Sequence, residues 1–171
     1  VLFRSFFSLM SSVLAASASS ASVPDVTRVP SASAQGTAAS VRVADLPLVF
    51  TGPVYGLVGG PGFRAQAEQG LKALAAVLGR QGSESREAVR LTAYVARESD
   101  VSDLRAVVAA VFRDTPVAFS YYCTPLEKPG ALIAWEAVAR STTRAESVVF
   151  DADAALMPTG ARLFISGQAE K

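Results

Sequence analysis

The sequence predicts an α+β fold, a mixed β-sheet with two amphipathic helices packed on one of its faces. Three observations carry this. Between residues 46 and 139, extended segments alternate with two helical ones. In the helical segments apolar residues recur at steps of three and four, so each helix has one face to bury. The last two extended segments are apolar on both sides, so the face that the helices leave uncovered must also find a partner. Self-association is the simplest partner.

Taken in order, residues 40–43 and 47–51 are short extended segments interrupted by Ala44-Asp45-Leu46. Gly52-Pro53 and the Gly59-Gly60-Pro61-Gly62 run then mark turns. A helix is predicted over 63–78, where Phe63, Ala67, Leu71, Leu74 and Leu78 form one stripe. Arg64, Glu68 and Lys72 follow one another at four-residue spacing on a solvated face. Residues 88–95 alternate, with Val89, Leu91, Ala93 and Val95 on one side and Arg90, Thr92 and Tyr94 on the other, as in a half-buried strand. Asp100 is placed to cap a second helix, whose stripe is Val101, Leu104, Val108 and Val111 and which Asp114-Thr115-Pro116 ends. Strands over 117–124 and 131–139 complete the block, separated by Pro125 and the Lys128-Pro129-Gly130 turn.

Composition limits the chemistry. Of the 171 residues half are hydrophobic and 18% charged, enough to bury a core, and a net charge of +1 gives no reason to expect nucleic acid. With no histidine, the chain cannot supply a Ser-His-Asp triad, a Cys-His pair or an H-E-x-x-H zinc site. No metal or cofactor motif is present, so neither is expected. The single cysteine, Cys123, lies in an apolar strand and reads as a small buried hydrophobe.

Residues 1–40 form a Ser/Ala-rich extension with one acid, Asp25. Arg4, the apolar stretch 6–16 and Ala16-Ser17-Ala18 match a secretory signal peptide, which would make the protein periplasmic or secreted. An organelle transit peptide and a disordered cytoplasmic extension are the other readings. The stretch is shorter than the roughly 20 apolar residues of a transmembrane helix, and no membrane partner is expected.

The block at 41–140 resembles the RidA (YjgF) family of small enamine/imine deaminases. The matching pieces are Leu48-Val49-Phe50-Thr51-Gly52, the helix Gln66-Ala67-Glu68-Gln69-Gly70-Leu71-Lys72-Ala73-Leu74, and Glu136-Ala137-Val138-Ala139. The resemblance lies in their joint order and spacing over about ninety residues. It implies a chorismate-mutase-like fold and a homotrimer, or a pseudo-trimer, with small-metabolite clefts between subunits.

It also implies an arginine on the strand after the second helix, in a Pro-x-Arg-Ser-like context, to grip a substrate carboxylate. Here that stretch is Pro116-Val117-Ala118-Phe119-Ser120, and Phe119 is read at the arginine position. The family's Glu-x-Glu-Ala, whose first glutamate helps to place water, is Ala134-Trp135-Glu136-Ala137. The Ser-Gly-Gln turn of the first hairpin is Thr51-Gly52-Pro53. The cleft candidates are therefore Thr51, Tyr94, Phe119, Tyr121 and Ala134, with Glu136 as the candidate general base. Core packing is the competing role for each aromatic, and a subunit contact the competing role for Glu136.

Residues 141–153 read as a linker. Beyond it, Leu163-Phe164-Ile165-Ser166-Gly167-Gln168-Ala169 parallels Leu48-Val49-Phe50-Thr51-Gly52-Pro53-Val54, as the start of a second, truncated RidA-like unit would. A C-terminal strand that merely resembles the first is the alternative. Two functions follow from the resemblance: a divergent metabolite-binding relative of the deaminases, or a non-catalytic assembly repeat supporting a competent second unit.

Overall fold

The computed structural model of the chain describes residues 25–56 and 62–161. Strands β1 (Val26–Pro30) and β2 (Ala38–Val43) form an antiparallel hairpin. Then follow β3 (Leu48–Thr51), β4 (Val54–Tyr55), α1 (Phe63–Arg80), β5 (Ala88–Val95), α2 (Val101–Val111), β6 (Ala118–Cys123), β7 (Ile133–Arg140), β8 (Val149–Asp151) and β9 (Ala154–Met157). The main sheet runs β6-β5-β7-β3-β9-β8, with β4 also paired to β7. Among the described strands only the β5–β6 pair is parallel, and α2 makes that crossover.

The helices and the central strands lie where their periodicity places them. Phe63, Ala67, Leu71, Leu74 and Leu78 of α1 are all buried. They share one core with Leu104, Val107 and Val108 of α2 and with Leu91, Ala93, Val95, Ile133, Trp135, Ala137 and Ala139 of the sheet. Both helices thus cover one sheet face. The stripe of α2 is turned slightly from expectation: Val107 and Phe112 go inward and Val111 remains exposed. Asp100 occupies the N-cap position but makes no capping bond. Its carboxylate instead accepts from Arg97 at 2.8 Å.

Trp135 is the centre of the packing. Its indole has no exposed surface, and its Nε1–H donates to the Ala67 carbonyl at 3.1 Å. A Cβ at Gly70 would stand 2.7 Å from Trp135 Cδ1, so only glycine lets the ring and helix approach this closely. One turn earlier, buried Gln66 holds the loop before β7, donating to the Gly130 carbonyl at 3.2 Å and accepting from Leu132 N–H at 2.9 Å.

Several expectations need correction. Val26–Pro30 and the start of β2 fall inside the stretch read as an extension, yet they are ordered strands. Arg28 ties this hairpin to the start of β5, donating to the carbonyls of Arg86 and Ala88 at 3.1 and 3.0 Å. Residues 141–171, read as linker and second unit, contain β8 and β9, and β9 pairs directly with β3. Arg80 at the end of α1 clamps their turn through Asp151 and Asp153, at 3.1 and 2.8 Å.

The hairpin expected at Thr51-Gly52-Pro53 is absent too, because β3 and β4 do not pair with each other. Both run along β7, with the register slipping by one residue between Phe50↔Val138 and Val54↔Trp135. Thr51-Gly52-Pro53 is thus a bulge rather than a turn. Cys123 is exposed on the edge strand rather than buried. The signal-like residues 1–24 and the Leu163–Ala169 repeat lie outside the described residues. No helix among the described residues is long and apolar enough to cross a membrane.

Substituting Gly70→Ala should push the indole from its seat and destabilise the fold by about 1–3 kcal/mol, as overpacking does. A urea-unfolding midpoint unchanged from the parent would contradict this packing.

Candidate functional site

Strand alternation decides which side chains can meet. Because Trp135 points into the helical layer, Ala134 and Glu136 point to the opposite face. The pairings extend that face across the sheet in rows. Ala134 lies beside Tyr94, Tyr94 beside Tyr122, and Tyr55 on the other side of Ala134. The next row is Glu136, Thr92 and Ser120, and beyond it lie Val138, Arg90 and Ala118.

Within this face Tyr94 donates its hydroxyl proton to Glu136 Oε2 at 2.9 Å. The Tyr122 ring, half exposed at 52%, stacks on Tyr94 with centroids 5.8 Å apart. A pocket of about 170 Å³ opens beside the pair, lined by Pro53, Tyr55, Tyr94, the segment from Thr124 to Glu127, and Ala134 at its buried floor. The Lys128 ammonium sits 4.5 Å from the centre of the Tyr55 ring.

Electrostatics here follow from two carboxylates near two phenols. Burial first, then the hydrogen bond to Glu136 and its charge, holds the Tyr94 hydroxyl above its ordinary pKa of 10.0. Tyr55 is also raised, first by burial and then by the charge of Glu127, while a hydrogen bond from the Glu127 backbone opposes the shift. Both phenols therefore stay protonated, and Tyr94 remains a donor well into the alkaline range.

Of the six residues expected at one cleft, the structure brings three together: Tyr94, Ala134 and Glu136. Thr51 has a structural task, its hydroxyl accepting from Ala137 N–H at 2.9 Å where the bulge breaks the ladder. Phe119 and Tyr121 pair with Leu91 and Ala93 and so lie on the helix-covered face. They line a different cavity, of about 440 Å³, with Arg105 and residues of the segment between β1 and β2. Arg105 lies 5.8 Å from the centre of the Tyr121 ring.

Reading Phe119 at the arginine position fails for the same reason. In a Pro-x-Arg-Ser context the second residue after proline is Ala118, and Ala118 is on Glu136's side of the sheet. β6 has no arginine, but neighbouring β5 puts exposed Arg90 directly beside Ala118 on that face.

Tyr55, Tyr122, Thr92, Ser120 and Glu127 were missed by sequence reasoning. Period-two counting along β5, β6 and β7 would have grouped Tyr122 and Ser120 with Tyr94 and Glu136. Nothing local signals Tyr55 or Glu127, which arrive from other parts of the chain. Among the described residues no group of three or more His, Cys, Asp or Glu side chains could hold a metal ion.

No family model matches the sequence, and no curated protein does. Solved structures match well. A protein of unknown function from Yersinia pestis, YyfB of the conserved Rid family, is 23% identical with a TM-score of 0.60, over 68% of this chain and 99% of its own. A YjgF-family protein from Neisseria meningitidis is 15% identical with a TM-score of 0.52, over 70% and 97% of the two chains. RidA from an Antarctic Psychrobacter is 19% identical with a TM-score of 0.51, over 69% and 99%. The chain thus has the α+β fold of the Rid (YjgF) proteins.

The Tyr94–Glu136 bond carries a pH signature. A phenol whose folded pKa exceeds its unfolded value of about 10 contributes stability that is complete below pH 10 and lost as pH rises through the folded pKa. The unfolding midpoint should fall more steeply above pH 10 in the parent than in Tyr94→Phe. Glu136→Gln should move one tyrosine ionisation, followed by ultraviolet absorbance, to lower pH. An unmoved titration curve would contradict the bond.

Proposed function

We propose that this protein is a divergent member of the Rid family that binds a small metabolite on the uncovered sheet face rather than carrying out the deamination its relatives are known for. One observation carries the reading. The face that presents Glu136 and Tyr94 has alanine at both positions where the resemblance calls for charge, Ala118 for the carboxylate-gripping arginine and Ala134 for the water-placing glutamate. A methyl group can neither grip a carboxylate nor orient water. What remains is a half-buried carboxylate with a phenol donor beside an aromatic pocket, an arrangement suited to binding.

Assembly is part of this proposal. Phe50, Tyr55, Tyr94 and Val138 lie on a face that none of the described helices covers, and β6 is an edge strand among the described strands, with Tyr121, Tyr122 and Cys123 exposed. Both features support a homotrimer or pseudo-trimer with clefts between subunits. The same exposed edge favours a second reading, an assembly repeat without a ligand.

The purified protein should release ammonia from 2-aminoacrylate no faster than buffer does. An acceleration of tenfold or more would restore the deaminase. Light scattering should give the mass of a trimer, and a monomeric mass at high concentration would remove the intersubunit cleft.

A further inference from the structure

The geometry points to the ammonium group of a small organic amine as the ligand of the pocket between Tyr55 and Tyr94. This rests on the metabolite-binding reading above and names its chemical class.

Size comes first. About 170 Å³ is well below the roughly 300–1,000 Å³ of pockets that hold drug-sized ligands, so the occupant has only a few heavy atoms. Charge comes second. Two carboxylates act on this space. Glu127 lines it, and Glu136 is bonded to Tyr94 at the wall and also acts on Tyr55. Among the described residues no arginine lines it, and the positive influence of Arg90 is the weakest of those acting on Tyr94. A carboxylate ligand would meet repulsion, whereas a cation would find compensation.

The third argument is that Tyr55, a lining residue, already has a cation of this chain over its ring. The Lys128 ammonium lies over the Tyr55 ring at 4.5 Å, inside the roughly 6 Å range in which the negative face of an aromatic ring attracts a positive charge. Lys128 is exposed and belongs to the loop between β6 and β7, so it can swing away. A ligand ammonium would take its place over Tyr55, in the space that the Glu127 carboxylate lines. Lys128 then acts as an internal competitor.

The test uses the full chain and two probes matched in length, n-propylammonium and propionate, titrated while the tyrosine ring signals are followed by NMR. Propylammonium should perturb Tyr55 and Tyr94 saturably. Lys128→Ala, a substitution at an exposed residue, should tighten that binding several-fold by removing the competitor. Glu127→Gln should weaken it on the order of tenfold, the loss of one charge-assisted contact.

Propionate binding as well as or better than propylammonium would overturn the amine assignment while leaving metabolite binding in place. Weaker propylammonium binding in Lys128→Ala would also overturn it, because Lys128 would then be part of the site. Silence of both rings to both probes would overturn this inference and the binding reading together.

Discussion

The buried indole of Trp135 is the contact on which the rest of the structure depends. It locks β7 against α1, where Gly70 leaves room for the ring and the Ala67 carbonyl takes its proton. Removing a tryptophan of this kind typically costs about 3–5 kcal/mol. Its positional effect matters as much as its energy. β7 pairs with β5, β3 and β4, so fixing which of its residues point inward fixes the parity of its neighbours. A one-residue slip would drive Glu136 into the apolar core and put Trp135 in solvent. The site on the far face is thus a consequence of the helix–sheet contact on the near one.

The bulge at Thr51 is the second constraint. β7 needs partners along its whole length, and β3 and β4 supply them in two pieces with one extra residue between. The Thr51 hydroxyl replaces the missing ladder bond, and Gly52 N–H turns to the Asp153 carbonyl at 2.8 Å. Through that bond and the Arg80 clamp, the β8–β9 hairpin becomes part of the same sheet. Its outer strand carries Phe150, 79% exposed, so the sheet ends in an apolar edge. The bulge also swings β4 so that Tyr55 reaches the pocket beside Ala134.

A shared fold does not fix a shared chemistry. Backbone architecture depends on core volume, on glycine at close approaches such as Gly70 and on strand parity. Chemistry depends on a few outward side chains that the core does not constrain. The same freedom lets tyrosines and carboxylates gather where a cationic side chain is expected.

Both helices and the central strands were legible in the sequence, because each follows from a local period of 3.6 or 2 residues, whereas the uncovered sheet face, read as apolar, carries Arg90, Thr92, Ser120 and Glu136. Grouping Tyr94 with Glu136 and Ala134 was legible as well, since strand parity preserves it. Only the tertiary structure decided that Phe119 and Tyr121 belong to the opposite face, that Thr51 sits in a bulge, and that Tyr55 and Glu127 join the pocket. It alone gave residues 26–30 and 149–157 their places as strands. Their short segments carry too few residues for a period to show, and what orders them is pairing with strands distant in the chain. Periodicity is a property of neighbours in sequence, whereas register and partner choice are settled by contacts between remote segments.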